Sequence, residues 1–256
     1  MLGETRLWPL TYRDDHICGC GKPKTTCPFW SDVIDSLPDQ LDADRAFRRI
    51  LSRTVLAAPL VPKSLAKRLL PDAHDQITRF YAQIAAKSGA TVAIDSSKNP
   101  GYGLLLDQVD GLEMTFVHII RHPLGVVYSW KRQRNRSQDV LLYRQSKPLF
   151  VAAIEWTASN LLAEIMKRRV RGKVYTLNYE EIGTEKADTL INKIVETHDR
   201  QGARRINHTM AGNPGSAVRQ AEFLVDEEWQ TGLNMAEKLL YGLLTYPLYF
   251  FYVGRR

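Results

Sequence analysis

The stretch "FVHIIRHPLGVVYSWKRQRNRS", Phe116–Ser137, decides how this chain is read. Its first part is β-branched, aromatic and nearly continuous in apolar character. That is the pattern of a strand covered on both faces. The strand ends in Arg121, and Pro123 stands where a helix should start. A guanidinium at a strand end can hold a phosphate through paired hydrogen bonds. The helix that follows aims free N–H groups and its positive dipole end at the same region. Ser129 lies eight residues beyond Arg121, roughly two helical turns, and reaches the same anion if the helix leans over the strand end. The plainer reading pairs Arg121 with a carboxylate and leaves Ser129 as a surface hydroxyl.

Outward from this stretch, the chain alternates strand and helix. Before it lies "ATVAID", a short β-type run, and the turn "SSKNPG". After it come a long helical segment, Pro148–Val170, and a third strand, "GKVYTLNYEEI". A further helix, "KADTLINKIVETHD", follows. Alternation of this kind predicts an α/β fold with a parallel sheet and helices on its faces. Ligands in such sheets bind beyond the carboxyl ends of the strands. Three polar groups fall there: Asp95 to Lys98, Arg121 with its helix, and Tyr179 to Glu181, where Glu180 and Glu181 are expected to cap the next helix.

The first 30 residues are irregular, and residues 31–90 read as a helical insertion. Apolar spacing predicts helices over about Ser31–Ala58 and over Pro71–Ser88, the second stopped by Gly89. Residues 91–256 form the strand and helix core of what reads as a single domain. "LLYGLLTYPLYFFYV", Leu239–Val253, reads as a buried helix broken by Pro247, plus a tail.

Composition narrows the partners. Charged residues make up 25% and apolar ones 44%, which is ordinary globular usage, and the chain is long enough to bury a core. The net charge is +7 and the pI about 9.3, which favours anionic partners. The N-terminus lacks a signal-peptide pattern, and no segment reaches the roughly 18–20 apolar residues of a membrane span. A cytoplasmic location is expected. The basic run Lys131, Arg132, Arg134 and Arg136 lacks the pattern of a nucleic-acid reader. It reads as a solvated face or the rim of a nucleotide site.

"HIIRHPLGVVYSWKRQ" resembles the 3′-phosphate-binding segment of sulfotransferases that use 3′-phosphoadenosine-5′-phosphosulfate (PAPS). Arg121 and Ser129 match that family's Arg and Ser in type and spacing. Four further segments resemble the family in order: "CGCGKPKTTCPFW", "VAIDSSKNP", "LNYEEI" and "NHTMAGNP" with "DEEW". The resemblance implies the three-layer parallel sheet of P-loop nucleoside-triphosphate hydrolases. It also implies transfer of a sulfuryl group from PAPS to a hydroxyl or amine on a small-molecule, glycan or lipid acceptor. By position, Lys98 stands where related cytosolic enzymes place a catalytic histidine. A lysine is a poor base at its usual pKa of about 10.4, so its expected role is to stabilise the transferring group. Asp95 is a candidate base, or else it caps the turn through Ser97. His208, before "GNP", is a further catalytic candidate.

Two departures qualify the resemblance. Family members carry an N-terminal glycine- and serine-rich loop that cradles the 5′-phosphosulfate. "MLGETRLW" resembles the stretch after that unit, and "GCGKPKTT" lacks the spacing of a phosphate loop. The expectation is therefore a truncated enzyme, or an inactive nucleotide-binding or interaction module of the same fold. The family also has an Arg two residues after the Pro of "GNP". Ser216 stands there, and Arg219 is the candidate substitute.

His16, Cys18, Cys20 and Cys27 form H-x-C-x-C-x6-C. Sulfuryl transfer requires no metal, yet four soft ligands this close could bind zinc. The alternative is a loop of reduced thiols packed on the core by "CPFW".

Overall fold

The computed structural model describes residues 2–7, 17–36, 60, 62, 71–90, 92–136, 148–196, 208–209 and 225–254. The elements run α1 (Pro28–Asp35), α2 (Pro71–Ser88), α3 (Pro100–Leu106), β1 (Thr115–Ile120), α4 (Pro123–Arg136) and α5 (Leu149–Lys167). They continue with β2 (Lys173–Asn178), α6 (Glu185–Glu196), α7 (Trp229–Gly232) and α8 (Met235–Val253). Short 3-10 turns lie at Thr5–Leu7, Lys24–Thr26 and Tyr179–Glu181. The fold is mixed α/β, and β1 pairs with β2 in a two-stranded parallel sheet.

Local chemistry explains these boundaries. In α2, Ile77, Phe80, Tyr81 and Ile84 are buried at helical spacing. The helix ends at Gly89, whose φ of +58° favours glycine and whose N–H bonds to Ala85 O at 3.0 Å. Asn99 caps α3 by accepting from the Tyr102 N–H at 2.9 Å, with Pro100 in the first turn. Asn234 and Glu237 form a reciprocal capping box at the start of α8.

The chain divides into two compact units. The first comprises Met1–Phe116, Ile165–Lys173 and Ile191–Ala221; the second comprises Val117–Glu164, Val174–Leu190 and Glu222–Arg256. In the first, Trp30, Val33 and Ile34 of α1 pack with Ile77, Phe80 and Ile84 of α2. Asp107, also in this unit, is 2% exposed and receives the N–H groups of Arg171 (2.8 Å) and Gly172 (2.9 Å). In the second unit, Leu124 and Val127 of α4 pack with Ala152 and Ala153 of α5 and Tyr241 of α8.

Several expectations need correction. "ATVAID" is not an extended strand. Asp95 makes a single parallel bridge with Gly3, flanked by Leu2 N–H to Ile94 O at 3.0 Å and Ser96 N–H to Gly3 O at 2.8 Å. Beyond this bridge the partner segment enters the 3-10 turn at Thr5, and Asp95 folds its own chain into a turn by accepting the Ser97 N–H. β1 is not covered on both faces: Val117 is 43% and Ile119 49% exposed. α8 runs unbroken through Pro247. The missing N–H removes the bond to the carbonyl of Leu243, a residue on the exposed side of the helix at 77%. The same exposure shows that α8 is not a buried helix. Finally, α5 is one helix long and apolar enough to cross a membrane by length and composition, although Ala152, Ala153 and Trp156 on it are buried.

Candidate functional site

β1 delivers Arg121 and His122 to the start of α4, within the second unit. The Arg121 carbonyl accepts from the Trp156 indole at 3.1 Å, which fixes the corner. The guanidinium meets Asp226 Oδ2 at 3.0 Å and lies over the Tyr179 ring, 4.6 Å from its centroid. It also runs along the first turn of α4. A β-carbon at Gly125 would lie 3.3 Å from Arg121 Nε and 3.7 Å from Nη2. Gly125 and Ser129 are spaced i, i+4 in α4 and share one face, against which the Arg121 side chain lies. Ser129 is half-buried on that face, and its hydroxyl has no partner among the described residues.

Carboxylates balance this cationic corner. Arg132 donates to Asp226 at 3.3 Å and to Glu228 at 2.8 Å. Glu180 Oε1 accepts the His122 N–H at 2.7 Å, so it serves the start of α4 rather than capping the helix after it. Glu181 pairs with Lys186 at 2.9 Å. The His122 ring stacks on Trp229 at 4.1 Å and lies 4.8 Å from the Tyr249 ring. Burial, reinforced by the Arg121 charge, pushes the His122 imidazole down to about 4.

The Asp95–Lys98 turn lies in the first unit. Asp95 Oδ2 accepts from the hydroxyls of Thr5 and Tyr81, and Oδ1 accepts from the N–H (2.7 Å) and hydroxyl of Ser97. An ionised carboxylate offers about four lone-pair sites, and four donors fill them. Tyr102 joins the cluster through Thr5 Oγ1 at 3.2 Å. Burial raises the phenol groups of both Tyr81 and Tyr102. The capping role expected for Asp95 is thus present in its contacts. Lys98 follows with φ +53°, a left-handed conformation uncommon in residues other than glycine. Its ammonium reaches Glu4 at 2.7 Å, and its side chain is 65% exposed.

The third group is the cysteines, also in the first unit. Cys18, Cys20 and Cys27 are free, and His208 joins them: its Nδ1 lies 3.6 Å from Cys18 Sγ and 3.5 Å from Cys27 Sγ. The imidazole considered for catalysis therefore sits against thiols. His16 and Arg219 lie outside the described residues.

Sequence reasoning missed Gly125, Asp226 and Trp229 as parts of the Arg121 corner. Their signal was present in "RHPLG" and "DEEW", but nothing local links these segments. No protein-family model, curated protein or solved structure matches this chain.

Proposed function

We propose that this chain is a PAPS-dependent sulfotransferase of the P-loop hydrolase-like fold, with the β1–α4 corner as its 3′-phosphate grip. One observation carries the reading: the Arg121 guanidinium lies over Gly125, on the face that presents Ser129 one turn later. Gly125 leaves the groove that a side chain would fill, which fits an arginine and a hydroxyl closing on one phosphate. The +7 net charge suits so anionic a nucleotide.

In the reaction, the acceptor oxygen or nitrogen attacks sulfur in line. The bond from sulfur to the 5′-phosphate oxygen breaks, and 3′-phosphoadenosine 5′-phosphate leaves with that electron pair. The acceptor's proton passes to solvent or to a base. Such a step depends on positioning and on charge stabilisation at oxygen. Lys98 supplies cationic charge for the transferring group, and its left-handed backbone is the kind of strain that collects at functional sites. Asp95 holds the turn that presents Lys98. Arg219 remains the candidate for the second phosphate contact.

A second reading is a nucleotide-binding or interaction module without transfer activity. The Arg121–Asp226 ion pair favours it, because the cation already has a partner. Binding to immobilised 3′-phosphoadenosine 5′-phosphate, with and without Arg121→Ala, tests the grip. Retention of the wild-type chain and loss in the variant are expected; no wild-type retention would sink the cofactor assignment. A sulfate-transfer assay on hydroxyl acceptors then separates enzyme from module.

A further inference from the structure

We propose that Cys18, Cys20, Cys27 and His208 form a tetrahedral Cys3His site for a zinc ion, with the His208 Nδ1 as fourth ligand. The inference is independent of the sulfotransferase reading. A zinc ion bonds sulfur at about 2.3 Å and imidazole nitrogen at about 2.05 Å. At tetrahedral angles those lengths set S···S edges of about 3.75 Å and S···N edges of about 3.55 Å. The observed edges are 3.7 Å for Cys20–Cys27, 3.7 Å for Cys27–Cys18, 3.6 Å for Cys18–His208 and 3.5 Å for Cys27–His208. All four donor atoms lie within 4.8 Å of one another. Four of the six edges thus match those that a metal would impose, and the other two are no longer than 4.8 Å.

The surrounding structure presents the ligands from three separate pieces of chain. Ile17 and Pro23 bridge in antiparallel fashion, Cys18 N–H bonds to Lys22 O at 2.8 Å, and Gly21 turns the chain at φ +86°. That tight hairpin carries Cys18 and Cys20 on one small knuckle. Cys27 stands at the N-cap of α1. His208 is oriented by its neighbours: its ring stacks on Phe29 at 4.4 Å, and its carbonyl accepts from the Trp30 indole at 3.0 Å. Gly19 N–H also bonds to Thr209 O at 3.1 Å.

A buried cation supplies a second, independent pointer. Lys24 is 1% exposed, and its ammonium has no hydrogen-bond partner among the described residues. The residue adjoins the cluster, its carbonyl accepting the Cys27 N–H at 3.3 Å. A dication bound by three thiolates and a neutral imidazole carries one net negative charge. The Lys24 ammonium offsets that charge, which explains a lone cation in an otherwise apolar setting. On binding, the three thiols release their protons to solvent. Four protein ligands leave no open position, so the ion is structural rather than catalytic. Soft thiolates with one imidazole select zinc over the hard cations.

The test uses the full chain, purified without added metal and analysed for its metal content. About one zinc per chain is expected, with the thiols protected from a thiol reagent until a chelator is added. Cobalt(II) in place of zinc should show thiolate charge-transfer bands and the intense visible bands of tetrahedral coordination. Cobalt titration of the wild type needs no variant, so a misfolded mutant cannot obscure the answer. His208→Ala should weaken cobalt binding at least tenfold and alter the visible bands, while His16→Ala should leave both unchanged. A wild-type chain without zinc and without a tetrahedral cobalt spectrum overturns the site. A disulfide among the cysteines overturns it as well. Sensitivity to His16→Ala but not to His208→Ala overturns the fourth ligand.

Discussion

The Arg121 side chain lies against Gly125, with Nε 3.3 Å from the point where a β-carbon would sit. The Trp229 ring edge is equally close, at 3.3 Å from the same point. One methyl group at this position would therefore press on both the cation and the ring that covers His122.

Gly125→Ala is expected to lower affinity for 3′-phosphoadenosine 5′-phosphate by about tenfold, the loss of roughly one charge-assisted hydrogen bond. Stability should change little, because alanine's better helix propensity, worth about 1 kcal/mol, offsets the crowding. Calorimetric titration beside thermal unfolding of the same sample separates the two effects. Unchanged affinity would show that the Arg121–Gly125 face is not where the phosphate sits.

Lys98 offers the reverse separation of stability from activity. Asparagine tolerates a left-handed backbone better than lysine. Lys98→Asn should keep or raise the unfolding free energy, by up to about 1 kcal/mol, and should reduce sulfuryl transfer at least a hundredfold. The ion pair with Glu4 is mostly exposed on the lysine side, so its loss matters little. A variant that transfers sulfate at the wild-type rate would remove Lys98 from the mechanism.

His122 predicts an acid-sensitive window. Its imidazole titrates at about 4 in the folded chain, against 6.5 for an unperturbed histidine. Between those values the unfolded chain binds the extra proton and the folded chain does not, so stability rises with pH. The contribution is fully present above about 6.5, falls as pH drops toward 4, and is level below that. The ring is only partly buried, so solvent screening keeps its size to about 1–2 kcal/mol. In urea unfolding at several pH values the wild type should lose stability between about pH 6.5 and 4, a loss that His122→Phe, with no titrating ring, does not share. Parallel curves would show that His122 is not the titrating group.

Asp107 anchors the entry to β2. Asp107→Ala leaves the partly buried Arg171 and Gly172 N–H groups without their charged acceptor. A loss of about 3 kcal/mol is expected, read as a lower urea midpoint with an unchanged m-value. A loss below about 0.5 kcal/mol would show that water replaces the carboxylate, within the ordinary range of surface substitutions.

The parts of the fold legible in the sequence are those decided locally. The helix α2 begins and ends where periodicity, Pro71 and Gly89 place it. Pro123 opens α4 directly after the strand. The β2 strand runs into its acidic turn as expected. The bridge at Asp95 was not legible as such. A β-type run says nothing of whether its partner segment will turn away, as the chain does at Thr5. Nor does an apolar run reveal which face stays covered, as Val117 and Ile119 show.

The candidate site was legible at its nucleus and not at its partners. Arg121 and Ser129 stand out by type and spacing, but Asp226 is 105 positions from Arg121 in the chain. The cysteines announce themselves by clustering. His208 is 181 positions from Cys27, and only the fold could bring it there in preference to a nearer histidine.

Two tryptophans bracket the Arg121–His122 peptide: Trp156 donates to the Arg121 carbonyl, and Trp229 stacks on the His122 ring. Indole emission responds to nearby charge and to the loosening of a stacked neighbour. The corner thus carries its own optical reporter. An anion settling on Arg121 should shift the emission of the unlabelled chain, and Trp229→Phe should mute that response while leaving the arginine in place.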